Sequence, residues 1–499
     1  MSNEHSTRHI KKAVAVLVCV LILPAGFGCT LNQAGVEEVT AVWERHQANS
    51  PRRAISYSRV PATRPAAGSP EPTSTRPAKA AEPAERLREY IMLALESNPD
   101  IRRAEEVARS RAQKIPQVTA LPDPLLSTKT LPEPVRTAEG DNFFILGISQ
   151  KLPVPGKLDR AGRIALEETR IAIADWEKTR LRVIADVKRA YFQIYVLDRT
   201  IEITRDNQDL LTGLIDVVRG QVAAGTRQQE DALRAQVELS SLESELIELR
   251  QKRKAAEAML NALLNRDPVT PVPSPTAFEV RNTELVLQSL FEKAASANPE
   301  LARLQRQIER DKQAVELAKL AYWPDFNVGF EWMYMEPRDA FRPPPNPQTG
   351  QRPTVSRMSE DGSDNWAIMF GFNLPIWYDK IEAGIREARS QVSASMHAYV
   401  SEKNMVNFRI EDALTNVEAQ QELAELFDST IIPQARQAYE VSQAGYLAGR
   451  ADFQYVIDNW RKWLVFTIQY HRAIGQLERS VADLEQAIGL SLEEAEVSQ

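Results

Sequence analysis

Two cysteines among 499 residues cannot supply a disulfide framework. Cys19 falls within an N-terminal apolar run that reads as an export signal, which would leave Cys29 as the one thiol of the mature chain. Histidine is scarce too: beyond that run only His46, His397 and His471 occur, far apart and without paired ligand spacing, so no metal site is expected. No Gly-x-Ser-x-Gly is present, and Gly156-Lys157 lacks the upstream glycine of a phosphate loop. With no catalytic constellation in view, neither an enzyme nor a cofactor is expected. A net charge of −7 without a basic block argues against nucleic acid as the main partner. The apolar run from Ala13 to Ala25 is too short to span a bilayer in comfort.

What is abundant leans towards long helices: Ala, Glu, Arg, Leu and Gln prevail, while aromatics make up 7%. The chain also repeats itself. Leu152-Pro153-Val154-Pro155 closes an alternating apolar run and opens a helical tract, and Leu374-Pro375-Ile376-Trp377 does the same. A glycine turn follows each, Ala224-Gly225-Thr226 with its glycine 72 positions after Pro153 and Ala448-Gly449-Arg450 with its glycine 74 after Pro375. Upstream, Asn98-Pro99 recurs as Asn298-Pro299 at an offset of 200, and Pro122-Asp123 as Pro324-Asp325 at 202. After the strands the offset is 222, so about twenty surplus residues lie in a loop between the strands of the second copy.

In chain order, residues 1–28 are expected to be a signal peptide, ending in Gly26-Phe27-Gly28-Cys29. That stretch is similar to a bacterial lipoprotein cleavage box, with Cys29 as the lipidation site. Residues 29–84, rich in proline from Pro61 to Pro83, would be a lipid-anchored flexible segment. Residues 85–283 and 284–490 are the two repeats, with a proline-rich connector at 266–283, and 491–499 form a tail.

Strands are expected at about 122–131 and 142–152, then at about 324–336 and 365–377. In the second repeat Phe326, Val328, Phe330, Trp332 and Tyr334, then Trp366, Ile368, Phe370, Phe372 and Leu374, alternate with smaller or polar residues. Period two gives an apolar face and a wetter one. About ten residues is the length of a tilted strand crossing a bilayer. Four strands cannot close a barrel, and lipid tolerates no open edge, so the chain must supply part of a barrel shared among subunits.

Helical hairpins are expected at 157–265 and 378–488. The first return arm places Ala232, Ala235, Leu239, Leu242, Leu246, Leu249, Arg253, Ala256, Leu260 and Leu263 at steps of 3 and 4, a left-handed coiled-coil seam with one intruding arginine. In the second hairpin Pro433 should bend the outbound arm before its turn.

These features resemble the TolC family of bacterial outer-membrane channel proteins. The likeness spans about Glu85 to Leu490 and rests on Leu152-Pro153-Val154-Pro155-Gly156-Lys157, the strand-to-helix junctions at Pro153, Pro155 and Pro375, Tyr446-x-x-Gly449 and the long hairpins. It implies a mainly α fold with a small β part. A homotrimer would form one twelve-stranded barrel in outer-membrane lipid, with its coiled-coil helices making a periplasmic tunnel. That tunnel would dock on a periplasmic adaptor protein and an inner-membrane pump of RND type. The start of the chain and the Leu-Pro-Val-Pro-Gly-Lys stretch look most like members that work with metal-cation or drug pumps.

The resemblance also implies a gate at the helix tips. By position after Gly449, Asp458 matches a family gate acid, Tyr455 stands where another aspartate is often found, and Asp452 lies nearer the turn. A carboxylate repeated around an axis concentrates field and favours cations; a solvated helix face, or a charge set on the helix dipole, is the plainer alternative. Gly225 and Gly449 read as turn formers. Thr226 and Arg450 follow them at the tip, where they meet an adaptor or solvent alone. Met333, Met335, Met358 and Met369 carry thioethers that suit soft metals, but their alternation with aromatics reads as barrel lining or packing. Three readings remain: the passive exit duct of a tripartite efflux system, the duct of a type I protein secretion system, and a periplasmic coiled-coil adaptor or scaffold that conducts nothing. Tall aromatic-faced strands favour a duct.

Overall fold

The computed structural model describes residues 83–137, 139–223, 228–275, 286–337, 345, 347–351 and 362–491. The expected signal peptide, Cys29, Gly225, Thr226 and Met358 lie outside them. The elements are α1 (Pro83–Ser97), α2 (Pro99–Ala112), α3 (Lys114–Thr119), β1 (Leu125–Thr137), β2 (Gly140–Leu152), α4 (Lys157–Ala223), α5 (Gln229–Leu263), α6 (Leu287–Ala297), α7 (Pro299–Lys319), β3 (Phe326–Glu336), β4 (Asn365–Phe372), α8 (Tyr378–Leu426), α9 (Ile432–Leu447) and α10 (Phe453–Ile488). Two compact units cut across the repeats: among the described residues, one holds 109–170 and 306–396, the other 83–108, 171–305 and 397–491.

The first unit holds an antiparallel sheet in the order β1-β2-β3-β4. Strand β1 continues to Thr137, beyond the expected 131. A register break between Thr130 and Val135 carries Pro132 and Pro134, which an edge strand tolerates because no neighbour needs their N–H. Strand β4 stops at Phe372, short of the expected 377. Pro375 has no N–H to offer a ladder, and the Ile376 N–H turns back onto the Leu374 carbonyl at 2.9 Å.

In the second unit the seam predicted for α5 is in place. Ala235, Leu242, Leu246, Leu249 and Leu260 are buried: Ala235 and Leu242, with Ala232 and Leu239, pack on α4, α9 and α10, Leu246 and Leu249 pack on Leu197 and Ile201 of α4, and Leu260 joins a core with α1, α2 and α4. Arg253 enters the seam by pairing: its Nε lies 2.8 Å from Asp198 Oδ1, and its Nη2 donates to the Val272 carbonyl at 2.8 Å. Ahead of Pro433 the helix opens into a π-helical turn at Phe427–Ile431 and resumes at Ile432. A proline withholds one N–H and crowds the carbonyl four residues back, here that of Ser429, so the wider turn forms where the strain falls.

The repeated Asn-Pro closes two helix ends at once. Asn98 Oδ1 accepts the N–H groups of Asp100 (2.9 Å) and Ile101 (3.4 Å), while its Nδ2 donates to the Leu263 carbonyl (2.8 Å) in the last turn of α5. Asn298 does the same for Glu300 (2.9 Å), Leu301 (3.1 Å) and the Ala487 carbonyl (2.7 Å) of α10. One side chain thereby satisfies the donor end of a short helix and the acceptor end of a long one. Asn298→Ala is expected to cost about 1–2 kcal/mol, since it removes a cap and leaves a half-buried carbonyl without this donor. Denaturant titration of the helical signal checks this; Asn298→Asp keeps the cap acceptor but sets a carboxylate against the Ala487 carbonyl, so it should not restore the parent stability.

Candidate functional site

The sheet sorts its side chains by polarity. Phe144, Leu146 and Ile148 of β2 stand opposite Tyr334, Trp332 and Phe330 of β3, and Phe330 and Phe326 stand opposite Ile368 and Phe372 of β4. The intervening positions carry Ser149, Gly147, Gly329, Glu331, Ala367 and Met369. On the apolar face Phe370 is 79% exposed and Trp366 64%. Phe330 stacks on Trp366 with centroids 6.4 Å apart. An apolar patch of that extent is foreign to a water-facing surface. It has the polarity of a wall between hydrocarbon and water. Beyond the last ladder pair the apolar surface continues through exposed Trp323, Leu374, Ile376, Trp377 and Tyr378, with Tyr322 stacked on Tyr378 at 6.3 Å. Aromatic rings at the foot of a strand wall suit the membrane–water boundary.

The strand-to-helix junctions explain the proline motif. After Pro153, the Val154 N–H donates to Asp325 Oδ1 at 3.0 Å, and past Pro155 the Lys157 ammonium reaches the same oxygen at 2.7 Å. Burial pushes the Asp325 carboxylate up, and the bonds from Lys157 and Val154 outweigh it, so its pKa sits below the ordinary range. This ties the end of the first repeat's strands to the Pro324-Asp325 that opens the second's. Pro375 stands at the matching junction, followed by the start of α8 at Tyr378.

The turn between α9 and α10 is built by Gly449, with φ +74°. The Arg450 N–H bonds the Gly445 carbonyl at 2.8 Å and the Gly449 N–H bonds that of Tyr446 at 3.0 Å, a Schellman closure that a side chain at Gly449 would strain. Tyr446 is fully buried against Phe453, and its hydroxyl donates to Asp231 Oδ2 of α5 at 3.2 Å. Asp452 caps α10 by position, exposed, with no side-chain capping bond; Arg450 is exposed too. Asp458 is half-exposed and partnered. Both its oxygens accept from Gln454 Nε2 at 3.1 Å, and Arg461 Nη1 lies 3.7 Å away. Arg461 donates through Nε to Glu238 Oε2 at 3.0 Å, which raises its pKa and ties α10 to α5. Asp458 thus ends a Glu238–Arg461–Asp458 chain.

The sequence profile of outer membrane efflux proteins matches residues 90–266 and 290–490. This chain belongs to that family. Cobalt-zinc-cadmium resistance protein CzcC of Cupriavidus metallidurans is 23% identical over 410 residues, covering 81% of this chain and 90% of that protein. Among solved structures, the outer membrane protein VceC of Vibrio cholerae shares the fold at a TM-score of 0.66 and 18% identity, covering 82% of this chain and 97% of that one. The CmeC outer membrane channel of Campylobacter jejuni does so at 0.65 and 16%, covering 85% and 94%.

As an outer membrane efflux protein the chain is a channel component of the outer membrane with its helices in the periplasm. Sequence reading passed over several of this efflux protein's residues. Asp325 and Lys157 were visible only as parts of separate motifs, and Trp323, Trp377 and Tyr378 only as neighbours of a proline. Arg461, three residues from Asp458 on one helix face, was the available sign that the acid is paired.

Proposed function

We propose that three copies of this chain close one twelve-stranded barrel and form a passive duct for metal cations or drugs. Cargo would arrive from an inner-membrane pump of RND type through a periplasmic adaptor, and no bond would be made or broken by this chain. The observation that carries the reading is the open sheet: an exposed apolar face bounded by two strand edges, β1 and β4, that are bare among the described residues. In lipid every backbone group must be paired within protein, so such edges call for further copies. The name of CzcC supports metal cations as cargo.

Asp458 and Asp452, once per copy, would ring a constriction that favours cations. Arg450 and Thr226 would meet the adaptor, Gly225 and Gly449 would form the two tip turns, and Cys29 would carry the lipid anchor. Conductance of the purified protein in planar bilayers tests the reading: a cation-preferring pore is expected, and a protein that never forms a pore overturns it. In Asp458→Asn the amide oxygen still accepts from Gln454, so the helix tip stays built while one charge per copy is lost. Cation preference and block by trivalent cations are both expected to fall; unchanged values remove Asp458 from the role.

A further inference from the structure

Within the sheet the two repeats meet at one seam, where the second strand of the first lies against the first strand of the second. Its register runs Leu152–Phe326, Gln150–Val328, Ile148–Phe330 and Leu146–Trp332. Beside it Asp325 is bonded to the Val154 N–H and to Lys157, which pins the Pro-Asp that opens β3 to the Leu-Pro that closes β2. The same two signatures stand at the bare edges: Pro122-Asp123 before β1 and Leu374-Pro375 after β4. Asp123 is exposed, and among the described residues it makes no ion pair.

Carrying β2 forward by the repeat offset of 222 and β3 back by 202 turns the internal seam into an external one. We propose that β4 of one copy pairs antiparallel with β1 of the next in the register Phe372–Leu126, Phe370–Thr128 and Ile368–Thr130, with Asp123 at the β4–α8 junction of its neighbour. This rests on the reading that copies share a barrel, and it adds the register and the residues.

Parity supports it. Leu126 and Thr128 lie opposite Ile148 and Leu146 of β2, on the apolar face, and Phe370 and Ile368 lie on that face opposite Val328 and Phe330. A slip of one residue would turn every side chain of β4 to the wrong side. Size supports it too. Thr128 and Thr130 are short, and the ring of Phe370, 79% exposed in a single copy, gains a neighbour that leaves it room. A slip of two would move Asp123 by roughly 7 Å along the strand and break the correspondence between this seam and the internal one. At that junction Asp379 stands where Lys157 stands in the first repeat, and Lys380 follows it, exposed.

Cysteine pairs in the full chain, in membranes, test the register. Thr128→Cys with Phe370→Cys, and Ser127→Cys with Gly371→Cys on the opposite face, are the aligned pairs. Thr128→Cys with Ile368→Cys or with Phe372→Cys are slipped by two, and each single variant controls for Cys29. Oxidation or a short bis-maleimide is expected to give a reducible or covalent trimer ladder for an aligned pair and several-fold less for the slipped ones. Slipped pairs trapping as well as aligned ones would overturn the register. If no pair is trapped while the native mass in detergent remains that of a trimer, β4 does not meet β1 and this inference alone fails. A monomeric mass throughout would remove the shared barrel as well.

Discussion

Phe370→Lys is expected to abolish stable insertion in the outer membrane, while Met369→Lys, one residue earlier, is expected to preserve it. The two positions lie on opposite faces of the same strand. Phe370 is on the apolar face, two residues from the end of β4, where a lysine in a membrane barrel costs from about 1 kcal/mol near the interface to about 2–4 kcal/mol at the midplane. The change recurs in every copy, so a shared barrel multiplies it. Met369 lies opposite Gly329 on the polar face, and its Cε is 3.0 Å from where a Cβ on Gly329 would stand. A lysine there keeps its stem over the glycine and its ammonium on the polar face. Membrane fractionation and the heat stability of the detergent-extracted assembly measure both variants. Equal tolerance of the two would mean that the faces have been assigned wrongly.

The second large effect is expected at Gly475, where α10 passes against α4. A Cβ built on it would sit 2.2 Å from Val196 Cγ2 and 3.6 Å from the Phe192 carbonyl oxygen. Valine is stiff about χ1 and cannot swing aside, so the helices must part. Val196, Tyr195, Ala424, Ala473 and Ile474 form one buried cluster here, and spreading the pair loosens all of it. Gly475→Ala is expected to lose about 1–3 kcal/mol by overpacking, seen as a lower thermal midpoint of the helical signal. Adding Val196→Ala vacates the contested space and should recover much of the loss. A Gly475→Ala protein that melts like the parent would show that the close approach is not made.

How much of this was legible in the chain depends on how far apart the interacting residues lie. The second repeat's strands announce themselves because large aromatics alternate over β3 and β4. Strand β1 was nearly silent: it is an edge strand with threonines and two prolines, and its place is set by β2 alone within the chain. The leucine steps of α5 could be counted, since a seam is a local pattern. Arg253 within them made sense only with Asp198, 55 residues earlier on another helix. The same holds at the junctions, where Lys157 and Asp325 are 168 residues apart. Each sat in a motif that recurs, and recurrence was the only sequence sign that both were needed. At the tip Gly449 could be read from turn chemistry, whereas Glu238 comes from a neighbouring helix 223 residues away from Arg461 and leaves no local trace.

The π-helical turn at Phe427–Ile431 settles a question of phase. Along α8 the inward residues Val406, Ile410, Ala413, Val417 and Ala424 keep steps of three, four or seven, and Tyr439, Ser442 and Tyr446 resume that rhythm along α9. Between Ala424 and Tyr439 lie fifteen steps, one more than about four turns of a supercoiled helix would take. Wound tightly throughout, the rod would carry the second set round by about a quarter turn and leave Tyr446 pointing away from Asp231. The loosened turn swallows the odd residue, so both stretches address the same inner line.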